Sequence, residues 1–523
     1  MAPSETSFGH LQNNTHSQWW KDSGLRKNVL QCIGLYFAVF YIGYDGALLN
    51  GLQELPTWNK YFNTPTGSRL GIISASLFLP AIVSPYAADF INSRWGRKPT
   101  LMITSVLLIA GALLNALSRN SGEFIGGRVL MGAAGAMGKM TSAVLLQEIA
   151  HPRIRPIVTT SYFCNYYFGS IAAAWFCYGT LGWSNASDWQ WRAPCIFQIV
   201  APTATLLFLI FIIPESPRWL VDHDRHEEAL GVLAEYHANG DRDDELVKWE
   251  FEEICIALED EKLNSQTRYV DFLKTPGNRR RLLVILTVAS GGNWVGNGII
   301  TYYLTPILKL VGIGDVRTIA QINGGLAIWN LILSYLGSTN AERVGRRPLW
   351  LTSTAGMLFS ITIITALSGS FAQTEHSGVG LAVVPFLFIF YGFYDIGWTP
   401  LAWSYTAEIL PYHMRVKGVG LQLSITSILQ AFNQWVNPVA LAAIGWKYYI
   451  VYIALDVMYT AIIYLFFPET KSLTIEEVSV LFDHGRQADV AAVREAFEQR
   501  HTGTVSKAVN NGVVEVEVEN VEQ

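Results

Sequence analysis

Runs of about twenty predominantly apolar residues, each long enough to cross a hydrocarbon core of about 30 Å, recur from Val29 to Phe467. The pattern predicts twelve membrane-spanning helices near residues 29–51, 69–91, 100–118, 124–146, 157–180, 193–213, 282–308, 318–337, 348–368, 379–405, 416–442 and 446–467. Many of these runs hold Gly and Pro, which membrane helices tolerate because neighbouring groups re-satisfy the freed backbone. Segments of about ten residues with alternating polarity, the mark of a membrane β-barrel, do not occur in the sequence. A charged stretch, 214–281, separates the sixth run from the seventh and reads as partly helical, and the chain turns polar after Phe467. The last twenty residues have the composition of a disordered tail.

Composition sharpens this picture. Half of the 523 residues are hydrophobic and only 15% are charged, where a soluble chain carries about a quarter charged. The net charge of −5 comes without a broad basic surface, so nucleic-acid binding has no support. Cys32, Cys164, Cys177, Cys195 and Cys255 make no metal or redox spacing and read as packing residues. The histidines make no paired metal spacing, no Ser/His/Asp arrangement stands out, and neither a cofactor nor an enzyme activity is expected. Gly132, Gly135, Gly138 and Lys139 resemble a phosphate loop only faintly, since Ala133 and Met140 stand where Gly and Ser or Thr are required.

Orientation follows the basic residues. Lys21, Arg26 and Lys27 precede the first run. Alternate short loops carry Arg94, Arg97 and Lys98, then Arg153 and Arg155, then Arg343, Arg346 and Arg347, then Arg415 and Lys417. Both termini and the 214–281 segment are therefore expected on the cytoplasmic side. The first 28 residues lack an apolar core with a cleavage site, so the first run is expected to act as an uncleaved signal anchor. Asn185 begins a sequon in an outer loop and is a candidate glycosylation site, whereas the sequon at Asn13 falls on the inner side.

The chain repeats itself. SRWGRKP (93–99) returns as ERVGRRP (342–348), QEIAHPRIR (147–155) as AEILPYHMR (407–415), and PESPR (214–218) as PETKS (468–472), at offsets of 249, 260 and 254 residues. Three motif pairs at nearly one offset imply two six-helix halves in the same orientation, an architecture whose binding site lies at the midplane between them. The expected organisation is an N-terminal segment 1–28, a first bundle 29–213, a linker 214–281, a second bundle 282–467 and a tail 468–523.

These motifs, with GYDGALLNG in the first run, GRVLMG in the fourth, a Tyr-Tyr pair in the seventh and PLAWSYTAEILP in the tenth, carry a family likeness. From about residue 29 to 480 the chain resembles the sugar porters of the major facilitator superfamily. GNWVGNGIITYYL and GWTPLAWSY look most like the fungal lactose and cellodextrin permeases. The resemblance implies an all-α membrane transporter of twelve helices in two pseudo-repeats, working by alternating access as a monomer. It implies a mono- or disaccharide carried inward with a proton, with the plasma membrane as its place. A proton-independent uniporter, a carrier of polyols or sugar acids, and a non-transporting sugar sensor are the alternatives. One departure is plain: Ser93 stands at the acid position of the first cytoplasmic motif, and Asp89, one turn earlier on the same face, is the candidate substitute.

Asp45 is the sharpest chemical signal. A carboxylate deep in an apolar helix costs about 2.5–3.5 kcal/mol on insertion scales, so it needs a partner, a cavity or a proton. Arg128 is the expected partner, and the resemblance implies that the two form the proton-coupling pair; a static ion pair that fixes packing is the alternative. Sugar hydroxyls call for neutral amides and the pyranose face for a flat ring. The candidates are Asn165, Asn293, Asn297, Tyr302, Tyr303, Asn433 and Asn437, with Trp403 at the family's stacking position; interhelical packing is the alternative for each amide. Aligned on the tyrosines, Gly298 takes the place of the family's asparagine. Arg97, Glu148, Glu342, Arg343, Arg346, Glu408 and Arg415 are expected to form an inner gate that bridges the halves in the outward-facing state. Lys139 and Asp395 either pair across the cavity or, for Lys139, meet an anionic substrate. The reading as a whole requires Asp45 to share one water-accessible cleft with the amides and the indole.

Overall fold

The computed structural model describes residues 13–16, 18–183, 187–263, 269–471, 478 and 482. Asn185 lies outside them, and so do the side chains of Glu342, Trp403 and Arg415. Twelve long helical segments are present among the described residues. The first six are α1 (Ser23–Glu54), α2 (Gly67–Trp95), α3 (Arg97–Ala116), α4 (Ser121–Ile149), α5 (Arg155–Thr180) and α6 (Trp189–Phe211). The second six are α7 (Pro276–Leu310), α8 (Val316–Val344), α9 (Arg346–Thr374), α10 (Val383–Ile409), α11 (Tyr412–Ile444) and α12 (Tyr449–Phe466).

Most of the helices outrun the apolar runs, and at α1, α4 and α7 a side-chain cap fixes the start. Asp22 accepts from the Leu25 amide at the start of α1, six residues before the expected boundary. At α4, Asn120 accepts from the Glu123 amide while Glu123 accepts from the Arg119 amide. Among the described residues ten stretches are long and apolar enough to cross a membrane, and one of them, Lys417–Phe466, holds most of α11 and all of α12. The long helix outside these stretches is α5, which packs along α1 and α8. The outer surface is apolar, with Phe90 67% and Phe211 77% exposed, as a lipid-facing surface requires.

Each half has its own core. Phe272, Trp350, Trp398 and Tyr405 anchor the second, and Leu35, Leu145 and Tyr162 belong to the first. In the first half, α1 and α5 cross with their backbones in contact. A Cβ at Gly43 would lie 1.8 Å from the Tyr166 carbonyl oxygen, and one at Gly169 would lie 2.0 Å from that of Phe40.

Between α6 and α7 lie four short helices: Pro217–Asp222, His226–His237, Glu245–Leu263 and Asp271–Lys274. They cover the ends of α1, α4 and α5. Glu250 accepts from Arg155 at 3.1 Å and meets His237 Nδ1 at 2.6 Å, while His237 Nε2 reaches the Ile149 carbonyl at 3.1 Å. Asn13 and Asn14 donate to the His237 and Ala238 carbonyls and tie the N-terminal segment to this cover. Hereafter this end of the bundle is the linker face, and the other is the opposite face.

The halves meet near the opposite face. Gln53 at the end of α1 donates to the Tyr302 carbonyl at 2.9 Å, Asn323 to Glu54 at 3.1 Å, Gln321 to the Tyr178 hydroxyl at 3.2 Å, and Trp435 to Ser68 at 3.3 Å. The first contact has a local cause. Gly296, at φ +97°, breaks α7, and Pro306 leaves the Tyr302 carbonyl without its helical donor. The segment Asn297–Leu310 thereby leans across, placing Tyr302 and Tyr303 in the core of the first half with Leu48, Leu52 and Ile73.

Candidate functional site

Asp45 lies on α1, nearer the opposite face than the linker face. Arg128 Nη1 of α4 is 3.9 Å from Asp45 Oδ1, and both side chains are buried. The closer contact is from a residue that sequence reasoning missed: Gln198 of α6 donates to the same oxygen at 2.7 Å. Arg128 spends its Nε on the Ile73 carbonyl of α2 at 2.9 Å. The pair is thus a loose ion pair bracketed by neutral groups, and at this separation its attraction offsets little of the cost of burying both charges.

Asp45 is 2% exposed. This corrects the expectation of an open cleft shared with the amides, because contact between the halves near the opposite face seals the carboxylate in this conformation.

The amides divide. Asn293 of α7 and Asn433 of α11 come together, Asn433 Nδ2 donating to the Asn293 carbonyl at 2.7 Å. A side chain at position 298 would begin 2.7 Å from that same Asn433 amide, so Asn433 occupies the space that Gly298 leaves open. The Asn297 carbonyl accepts from the Tyr391 hydroxyl at 3.0 Å, and its buried Oδ1 has no partner among the described residues. The Tyr302 hydroxyl receives Gln430 at 3.4 Å. These groups line one stretch of α7, α10 and α11 that runs from Asn293 toward the opposite face at Tyr302.

Three candidates point elsewhere. Asn437 accepts from the Tyr448 and Tyr452 hydroxyls at 2.9 and 2.7 Å, so it ties α11 to the start of α12. Tyr303 is fully buried and donates to the Gln434 carbonyl at 2.7 Å. Asn165 returns its amide to the Ser161 carbonyl of its own helix at 2.8 Å. The side chain of Trp403 lies outside the described residues, and its place on α10 is all the structure gives. Gln198 and Gln430 were legible as glutamines in apolar runs, where an amide needs a partner, and Gln53 falls just past the first run; nothing in the sequence said which partner each would take.

At the linker face each half closes its own charges. Arg97 pairs with Glu148 at 3.1 Å, and Arg346 with Glu408 at 3.3 Å. Glu215 accepts from the Arg97 and Lys98 amides, and Glu469 from those of Arg346 and Arg347, so each proline-glutamate motif puts a carboxylate on a helix N-terminus. Burial pushes the Glu215 carboxyl up from its ordinary range, against the backbone N–H groups that pull it down. The Arg343 carbonyl accepts from Lys471 at 2.7 Å. Asp89 is exposed and enters no ion pair among the described residues; Ser93 instead caps back to the Asp89 carbonyl at 2.8 Å.

Lys139 and Asp395 do not pair. Lys139 Nζ stands 5.4 Å over the Phe163 ring and lines a crevice of α1, α3, α4 and α6 with Tyr41, Thr104 and Ser105. Asp395 of α10 accepts from the Tyr167 hydroxyl of α5 and from Thr399 Oγ1 at 2.8 Å.

The chain matches the family described as sugar (and other) transporter over residues 31–482. It is 26% identical over 468 residues to a glucose transporter of Aspergillus flavus, covering 85% of this chain and 88% of that protein. It is 26% identical over 459 residues to an arabinose-proton symporter of Bacillus subtilis, covering 84% and 92%. The inward open conformation of an Escherichia coli xylose transporter superposes with a TM-score of 0.72 at 20% identity, covering 87% of this chain and 99% of that one; the fold is what this likeness carries.

Proposed function

The chain belongs to the sugar transporter family of the major facilitator superfamily, and from that premise we propose that it carries a sugar inward across the plasma membrane together with a proton. It is a multi-pass membrane transporter and not an enzyme. In this reading the linker face is cytoplasmic, and the structure corresponds to a state closed to the outside.

One observation carries the coupling: a buried carboxylate that touches a cation at 3.9 Å and a neutral amide at 2.7 Å. Protonating Asp45 would remove the charge, release Arg128 and leave Gln198 to satisfy the acid. An arabinose-proton symporter among the relatives supports the coupled mode.

The sugar would lie at the level of Asn293, Asn297, Tyr302 and Asn433, with Gln430 and Tyr391 as further partners and Trp403 as the stacking ring. Asn165, Tyr303 and Asn437 then serve packing in this state. The pairs Arg97–Glu148 and Arg346–Glu408 would exchange partners across the halves, with Glu342, Arg343 and Arg415, when the inner side closes.

A glucose and an arabinose carrier among the relatives favour a monosaccharide. The likeness of the α7 string to lactose and cellodextrin permeases favours a β-linked disaccharide as the second reading. The test is uptake in cells without their own carriers, with glucose, xylose, arabinose, lactose, cellobiose, a polyol and a sugar acid, with and without a protonophore. Protonophore-sensitive accumulation of one sugar is the expected result. Accumulation of none, or accumulation indifferent to the protonophore, would sink the proposal or its coupling.

A further inference from the structure

The structure holds a second buried carboxylate that the coupling pair does not explain. Asp395 sits in the middle of α10 and is fully buried. Three neutral donors converge on it. Thr399, one turn along the same helix, donates to Oδ1 at 2.8 Å. Asn330 of α8, in the amide orientation that satisfies both its ends, donates to Oδ2 at 3.2 Å and to the Leu326 carbonyl at 3.0 Å. The third donor, the Tyr167 hydroxyl, comes from α5 in the other half of the molecule.

The titratable groups that face Asp395 are Tyr391 and Tyr394 on its own helix and Cys164 and Tyr167 on α5. From α8 it meets Asn330, and α9 packs Ser353 against the Phe393 carbonyl and the nearby Gly397. No cation pairs with Asp395 among the described residues. A carboxylate at mid-membrane without a cation is held ionised only by its hydrogen-bond donors, and otherwise takes a proton.

We propose that Asp395 is a second proton-binding site, and that the seam between the halves sets its occupancy through the Tyr167 hydroxyl. The inference rests on the transport reading, since rocking of the halves is what makes and breaks the contact. With the seam closed as here, Tyr167 completes the donor set and weakens the carboxylate's hold on its proton. With the halves parted at this level the hydroxyl is withdrawn, and the carboxylate takes a proton from water on the opposite face. The step is a protonation alone, with no bond broken in the protein. By linkage, a proton on Asp395 favours the parted seam as much as parting favours the proton. The site adjoins the candidate sugar level through Tyr391, whose hydroxyl bonds the Asn297 carbonyl at 3.0 Å.

Infrared difference spectroscopy of the full chain in lipid nanodiscs, titrated with pH in the absence of sugar, reads the site directly. A carboxyl C=O band is expected that Asp395→Asn removes and Asp45→Asn retains. In Tyr167→Phe the band should persist to a pH higher by about one unit, a tenfold change in proton occupancy for the loss of one hydrogen bond to a charged group. A wild-type spectrum unchanged by Asp395→Asn, or a band that titrates identically in Tyr167→Phe, overturns the proposal. If Asp395→Asn does not fold, the Tyr167→Phe shift decides alone. Uptake of labelled glucose, xylose and lactose by the same preparations in liposomes separates the two failures. A wild type that shows the Asp395 band but moves no sugar sinks the transport reading, whereas one that moves sugar without the band sinks the second site.

Discussion

A single carboxylate shows how far a residue can be read alone. Asp45 is conspicuous because an acid in an apolar helix needs a reason, and Arg128 was the natural partner; that Gln198 makes the shorter contact was not legible, because α6 meets α1 only in the folded chain. Asp45→Asn keeps the shape and an acceptor for Gln198 but cannot take up a proton. Uphill accumulation should be lost while sugar exchange across equilibrated membranes persists, and normal accumulation would exclude a coupling role. Asn437 makes the opposite case. It satisfies two buried tyrosine hydroxyls of the α12 region, so Asn437→Ala should cost about 1–3 kcal/mol of stability by orphaning them. It should leave the apparent transport constant near that of the wild type; a large rise with unchanged thermal stability would return Asn437 to the sugar site.

At the scale of elements, two junctions make claims that can be measured. The α1–α5 crossing depends on Gly43 and Gly169 lying against the opposing backbone. Gly169→Ala places a methyl 2.0 Å from the Phe40 carbonyl oxygen, whereas Gly179→Ala, with nothing within 4 Å, adds a methyl to open space. Overpacking of the first kind costs about 1–3 kcal/mol or more. A lower melting temperature is expected for Gly169→Ala and not for Gly179→Ala, and equal melting would refute the contact.

The second junction is the cover at the linker face. Burial, with His237, Arg153 and Arg155 nearby, pushes His151 down from 6.5 to about 2. The folded state therefore keeps His151 neutral while the unfolded chain charges it below 6.5. Its contribution is complete above that value and is lost as the pH falls. The loss should reach about 1.4 kcal/mol near pH 5.5 relative to about pH 7.5. Melting curves of wild type and His151→Gln at those two values test this: the variant should lose less on acidification, and an equal loss would show that His151 is not the group responsible.

For the whole molecule, the halves are joined by polar contacts near the opposite face, by Tyr167–Asp395 at mid-depth and by Tyr86–Ser424 on the linker side of the middle, while Arg97–Glu148 and Arg346–Glu408 at the linker face each stay within one half. The contacts near the opposite face close the molecule on that side. Cysteines introduced at Tyr178 and Gln321, joined by a short bismaleimide, should hold this state. Uptake should stop on crosslinking and be unaffected by a monofunctional maleimide. Undiminished uptake after complete crosslinking would mean that this seam does not open during transport.

The twelve helices, the two-fold repeat and the unusual acids could be read from the sequence, because a low-dielectric solvent makes apolar length decisive and every charge within it conspicuous. The caps that extend α1 and α4 were harder to place, since a polar cap looks like any loop residue until the backbone N–H that it satisfies is known. Partnership was decided by tertiary structure. Gln53 could find the Tyr302 carbonyl only after Gly296 and Pro306 had bent α7 toward α1, and Asn437 could meet the Tyr448 and Tyr452 hydroxyls only once the chain beyond α11 had packed back on it. A sequence states which groups must be satisfied; the packing of the halves chooses what satisfies them, and that choice separates a binding residue from a structural one.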